Sequence, residues 1–181
     1  MQDDLIEIND AGHQDLYPFF FCASILVKED PNMLPHLKHV RVKDGFVYGT
    51  NGVTMRRARL HERYKNGLYR VMKKTKKWVI LYLTTENDYP ETDELFDLNG
   101  IGGPVAQVII DEYFWNGHAV ITAALKGKEA FNPEFLKNAQ GAYDLFVKGR
   151  QITLDNEDFA MVIMPIQKQE SLPFDQEQPA E

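Results

Sequence analysis

Short β-rich stretches, joined by turns of only a few residues, fill two blocks of this chain. Connections that short can only link antiparallel neighbours, because a parallel crossover needs a dozen residues or more. In the first block the stretches are 37–42, 45–49, 53–60, 67–72 and 77–84, with Lys43-Asp44-Gly45 as a tight-hairpin signal between the first two. In the second they are 143–147, 151–154 and 159–166, with turns at Lys148-Gly149-Arg150 and Asp155-Asn156-Glu157-Asp158. A helix is expected ahead of each block. Residues 10–28 are apolar almost all round, so that helix should be buried. Residues 132–142 carry clear start chemistry: Asn132 as N-cap, Pro133 in the first helical position, and Phe131 able to pack on Leu136. Residues 5–8 read as a first strand and 118–125 as another, while 105–115 fit either a strand or a short helix.

Each half therefore reads as strand, helix, then several antiparallel strands, with negligible sequence identity between halves. Two such halves make an α+β domain, one helix of each packed on antiparallel sheet. Residues 86–103, acidic and then glycine-rich, are expected to link the halves as a solvated loop. The boundaries expected are one domain over 1–166, with halves of about 1–97 and 104–166, and a flexible acidic tail over 167–181. With 181 residues, one domain plus a tail is the natural organisation. The single cysteine, Cys22, lies in an apolar run and reads as a buried, inert thiol in a reducing, cytoplasmic compartment. The most apolar run, 16–27, is too short to span a bilayer and follows an acidic start, so neither a membrane segment nor a signal peptide is expected.

Charge is unevenly distributed. Arg56, Arg57, Arg59, Arg63, Lys65, Arg70, Lys73, Lys74, Lys76 and Lys77 face one acid, Glu62, giving this stretch +9. The net charge is −7, so the remainder carries −16. An acidic body repels nucleic acid except where a basic patch is presented. Tyr64, Tyr69 and Trp78 lie among these cations, a combination suited to phosphate contact plus base stacking. The other reading is a solvated basic hairpin.

Three short stretches carry a resemblance. Thr50-Asn51-Gly52-Val53-Thr54-Met55 is similar to the stretch that reads T-D-G-H-R-L in the bacterial DNA polymerase III beta sliding clamp. Phe131-Asn132-Pro133-Glu134-Phe135-Leu136 resembles that family's F-N-P-x-Y-L, and Val162-Ile163-Met164-Pro165-Ile166 resembles its closing V-V-M-P-M strand. The match covers about 25–60 and 118–167 and is looser between. The resemblance implies a DNA-clamp-like fold and a processivity factor that binds partners without chemistry. It also implies a partner-peptide pocket at Thr50, Gly52, Met55, Met164 and Pro165. Gly52 suits a positive φ or close approach by a ligand chain, and the methionines suit an adaptable groove. Asn51, Val53 and Thr54 depart from the family pattern and remove charge from the pocket rim. Family rings need six domains, so a ring built from this chain implies a homohexamer. The family also lines its hole with basic helices, whereas here the positive charge sits on strands and loops.

Gln169-Glu170-Ser171-Leu172-Pro173-Phe174 looks like the Q-x-x-L-x-F peptide by which polymerases and repair proteins dock on clamps. Gln169, Leu172 and Phe174 would be its anchors, unless the match is chance. No catalytic set is evident. Ser24, Ser171 and Cys22 lie in no nucleophile motif, and 100–103 lacks the Lys-Ser/Thr of a phosphate loop. His36 and His39 read as a surface pair, the other histidines lack evident partners, and no metal site or cofactor is expected. The expected partners are DNA, contacted without sequence preference, and replication or repair proteins. Three readings stand: a clamp-like docking factor, a monomeric clamp-fold adaptor of phage or mobile-element type that binds a host clamp, and an unrelated α+β enzyme.

Overall fold

The computed structural model describes residues 4–11, 13–27, 34–86, 88–126, 129–164 and 166–167. The first half runs β1 (Leu5–Asn9), α1 (Leu16–Ala23), β2 (His39–Lys43), β3 (Phe46–Thr50), β4 (Thr54–Arg59), β5 (Gly67–Thr75) and β6 (Trp78–Leu83). The second runs β7 (Ala106–Ile110), α2 (Trp115–Ala124), β8 (Glu129–Ala130), β9 (Gly141–Lys148), β10 (Gln151–Asp155), β11 (Phe159–Ile163) and β12 (Ile166–Gln167). Ten strands form one antiparallel sheet in the order β1-β6-β5-β2-β3-β4-β11-β10-β9-β7, and β12 pairs with β8 apart from it.

That order shows how the halves are related. The meander β2-β3-β4 meets the meander β9-β10-β11 along an antiparallel β4–β11 seam, and each half's first strand lies outermost. A pseudo-twofold at the seam exchanges them. One element breaks the symmetry: β7 pairs directly with β9, whereas the β5–β6 hairpin is inserted between β1 and β2.

The strand alternation fixes two faces. One carries the helices and the main core, including Phe19 and Phe21 of α1, Ala58 of β4, Leu145 of β9 and Ile121 of α2. The outer face carries a smaller cluster of Tyr48, Met55, Phe96, Ala160 and Val162. Helix α1 lies so close to the sheet that a Cβ on Gly49 of β3 would fall 2.2 Å from the Cys22 carbonyl oxygen. Cys22 is fully buried, its Sγ 3.3 Å from the Val47 oxygen, and burial pushes the thiol pKa up.

Several local expectations are corrected. The helix over 10–28 reduces to Leu16–Ala23. Residues 132–142 hold no α-helix but a 3-10 turn, Pro133–Leu136, and the start of β9, although the Asn132 side chain does accept from the Glu134 N–H. The second helix lies instead at Trp115–Ala124, where a strand was expected over 118–125. There Gly117 and Ile121, one turn apart, are buried beside β7, which overrides the β-branched composition. The linker is not merely solvated: Phe96 and Thr92 are buried, and the Leu95 carbonyl accepts from Gln151 Nε2 at 2.9 Å.

Candidate functional site

The turn between β3 and β4 is built by its own side chains. Thr50 Oγ1 donates to the Thr54 carbonyl and accepts from the Gly52 N–H, at 3.0 and 3.1 Å. Asn51 Oδ1 accepts from the Val53 and Thr54 N–H groups, at 3.0 and 2.8 Å. Gly52 sits at φ +87°, with nothing nearer than 3.9 Å to where its Cβ would be, so the turn demands glycine for conformation and not for space. Antiparallel pairing of β4 with β11 sets Met55 opposite Val162, and the Met164 N–H continues the ladder to the Val53 carbonyl at 3.1 Å.

A groove of about 260 Å³ results. Thr50, Gly52 and Val53 form one bank, and Met55, Val162 and Met164 line it from the seam. Pro90 and Leu95 of the linker close the other side. Met55 is a buried floor residue, whereas Met164 is 46% exposed at the rim. Thr50, Gly52, Met55 and Met164 of the expected pocket thus lie together, while Pro165 falls outside the described residues. Sequence reasoning missed Pro90 and Leu95. The one available signal was the apolar pair Leu95-Phe96 inside an acidic stretch.

An ion pair at the surface adds a tie between the linker wall and β2. Lys43 Nζ pairs with Asp93, and this contact raises the lysine pKa and lowers that of the aspartate. The Pro90 carbonyl lies 3.5 Å from Arg41 Nη1.

The basic stretch does not form one patch, because alternation along the strands sends its members to both faces. Arg56 is a correction. Its side chain is fully buried on the helix face, donating to the Phe21, Phe135 and Lys137 carbonyls and to Ser24 Oγ at 2.7–2.9 Å. It stacks over the Phe21 ring, 4.6 Å from the centroid. Burial draws its pKa down to about 10, so it remains a cation at neutral pH, but no phosphate can reach it. Lys74 is the second correction. A bulge between Val71 and Lys73 shifts the register so that Lys74, though still exposed, donates to the Ala23 and Leu26 carbonyls at and just beyond the end of α1, both at 2.9 Å. Partial desolvation of the ammonium lowers its pKa.

On the outer face Arg57 sits between the Phe46 and Phe96 rings and 3.6 Å from Asp155, and Arg59 lies 3.5 Å from Asp158. Lys73 stacks over Trp78, 5.1 Å from its centroid. Lys65 and Arg70 line an open cleft of about 940 Å³ with Lys38, beside Asp4 and Glu86. Arg63, Lys76 and Lys77 are exposed. Helices α1 and α2 carry no lysine or arginine.

The histidines are also placed differently from expectation. His39 is buried with Nε2 3.6 Å from Glu86, and His61 Nδ1 lies 3.0 Å from the buried Asp15 carboxylate. Among the described residues no group of three or more His, Cys, Asp or Glu is arranged to hold a metal ion. No helix there is long and apolar enough to cross a membrane. Gln169, Leu172 and Phe174 fall outside the described residues.

A seam-centred antiparallel sheet with two helices on one face and a groove at the seam defines an α+β DNA-clamp fold. The solved structures it resembles are DNA polymerase III beta sliding clamps. The Pseudomonas aeruginosa sliding clamp matches with a TM-score of 0.56 and 12% identity over 91% of this chain and 67% of that one. The Helicobacter pylori beta clamp bound to a DNA ligase peptide matches at 0.56 and 10%, over 92% of this chain and 66% of the other. The Thermotoga maritima beta subunit matches at 0.53 and 10%, over 89% and 64%. The chain spans 64–67% of the length of these clamps, and at such identities the likeness is one of fold. No protein-family model matches the chain, and no curated protein matches it in sequence.

Proposed function

We propose that this chain is a clamp-fold docking factor of DNA replication or repair, acting in the cytoplasm by holding partner proteins near DNA without chemistry of its own. The observation that carries this reading is the seam groove, where Met55, Val162 and Met164 meet Pro90 and Leu95 on a clamp fold. An apolar groove of this size takes two or three anchoring side chains of an extended peptide. The Helicobacter pylori clamp of the same fold holds a DNA ligase peptide. The test is fluorescence anisotropy with a labelled Gln-x-x-Leu-x-Phe peptide. Met164→Asp should weaken binding by roughly tenfold or more, as loss of a central anchor does. Unchanged affinity would remove the groove from the argument.

DNA contact falls to the exposed cations Lys65, Arg70, Lys73, Lys76 and Lys77, with Arg59 and Arg63. Binding through them is salt-dependent and indifferent to sequence. One observation favours a second reading: neither helix carries a basic side chain, so the helix face does not present the positive surface of an encircling ring. In that reading the chain is a monomeric adaptor of phage or mobile-element type. It touches nucleic acid with its basic hairpin and docks on a host clamp through Gln169, Leu172 and Phe174. Removing 169–174 and measuring binding to a purified clamp decides this; undiminished binding sinks the adaptor.

A further inference from the structure

A second pocket, of about 390 Å³, opens where the first turn of α1, the β5–β6 turn and residues 138–140 come together. It lies apart from the seam groove and shares no residue with it. Its floor is apolar: Leu16 and Phe20 are buried, and the Tyr17 ring completes it. That ring is fixed in place. Its hydroxyl reaches the Asn138 carbonyl at 3.2 Å, and Phe159 meets it edge-on at 5.2 Å.

The rim has a different chemistry. Gln14, Asn138 and Gln140 line it, and their side-chain amides make no hydrogen bond to any described residue. Asn138 holds φ +61°, a strained backbone state of the sort that collects at binding sites. Lys76 stands at the mouth, carried there by the β5–β6 hairpin, and Asp10 and His13 complete the lining. The Asp10 N–H anchors that hairpin by donating to the Lys77 carbonyl at 3.1 Å. The hairpin is the same element that breaks the twofold, so the other half of the molecule has no counterpart to this placement of Lys76.

An apolar floor with an aromatic ring in it, amides without a partner among the described residues, and a cation at the mouth are three complementary requirements of a nucleotide. The floor takes the face of a base, amides pair with heterocycle edges, and a lysine meets phosphate. The volume lies within the range of small-ligand pockets and fits a single base with its sugar. We propose that this pocket receives one unpaired base of a nucleic acid strand, with Lys76 on the neighbouring phosphate. The proposal rests on the reading that the chain contacts nucleic acid.

The test uses the full chain and a short labelled thymidine oligonucleotide, compared by anisotropy with the same oligomer carrying abasic sites. The abasic oligomer should bind roughly tenfold more weakly, since stacking is worth about 1–3 kcal/mol per base. Gln14→Ala combined with Gln140→Ala should weaken the thymidine oligomer several-fold and leave the abasic one unchanged. Equal wild-type affinity for both oligomers overturns the pocket while sparing backbone contact. Equal weakening of both by the amide variant also overturns it. No binding of either oligomer at low salt overturns both the pocket and the nucleic-acid reading beneath it.

Discussion

Arg56 brings a positive charge into the interior with no carboxylate among the described residues to meet it, and three carbonyls with one hydroxyl take that role. Two acceptors belong to the end of α1 and its exit, two to the 3-10 turn of the other half, so one guanidinium ties the halves across the helix face. Arg56→Met would leave the Phe135 and Lys137 carbonyls without their donor, while the Phe21 carbonyl and the Ser24 hydroxyl keep only each other. It should lower unfolding free energy by about 3 kcal/mol or more, read by urea denaturation. Arg56→Lys should recover only part of this, because one ammonium cannot span four acceptors set for a planar fork. The two glycines of β3 and its turn separate space from conformation. Gly49→Ala drives a Cβ into backbone at 2.2 Å and should be the more damaging change in the same measurement. Gly52→Ala meets no neighbour and should cost only about 1 kcal/mol of backbone strain. Gly52 was legible from its place in a Thr-Asn-Gly turn. The fate of Arg56 was not, because a cation in a charged run gives no local sign that alternation will turn it inward.

At the scale of elements, strands were easier to read than helices. The hairpins of the first half announce themselves by turn residues and short spacing, which are local properties. Residues 132–142 show the opposite: helix-start chemistry is present, yet the Phe135 and Lys137 carbonyls accept from Arg56 and Asn138 turns to positive φ, so no helix propagates. That interaction joins residues about eighty positions apart and leaves no trace in the segment itself. The seam groove was half legible for the same reason. Its turn and final strand are marked by motif, while its linker wall depends on Phe96 packing under Arg57 and on the Lys43–Asp93 pair. The Asp93 carboxyl, bonded by Lys43, holds its proton less readily when folded than when unfolded. Its contribution is complete above the ordinary carboxylate pKa and is lost as pH falls through the lower folded value. Amide protection over 92–96 should therefore drop below about pH 4, ahead of the sheet. Asp93→Asn should remove that pH dependence; protection that instead falls in step with β3 and β4 would show that the ion pair does not hold the wall.

For the whole molecule, the decisive property is that, among the described residues, the ten-stranded sheet is open at both ends. Strand β1 leaves one edge and β7 the other, and each copy carries one of each. Around β7 the surface is apolar: Ile109 is 70% exposed and Trp115 58%, with Val105 and Tyr113 also exposed. Unpaired strand edges flanked by exposed apolar side chains favour pairing with another chain. Because the two edges differ, copies joining β1 to β7 associate head to tail, which closes into a ring or continues as a filament. The mass in solution should accordingly rise above 20.9 kDa with concentration. Ile109→Lys, placing a charge on the β7 edge, should return it to the monomer without altering the fold by circular dichroism. DNA adds a second axis to the same measurement. A ring that encloses DNA should stay on a closed circular plasmid and leave when the plasmid is cut, whereas contact through the basic hairpin alone should be equal on both. A monomeric mass at every concentration, with binding indifferent to cutting, would exclude encirclement and leave the adaptor as the form in which this fold is used.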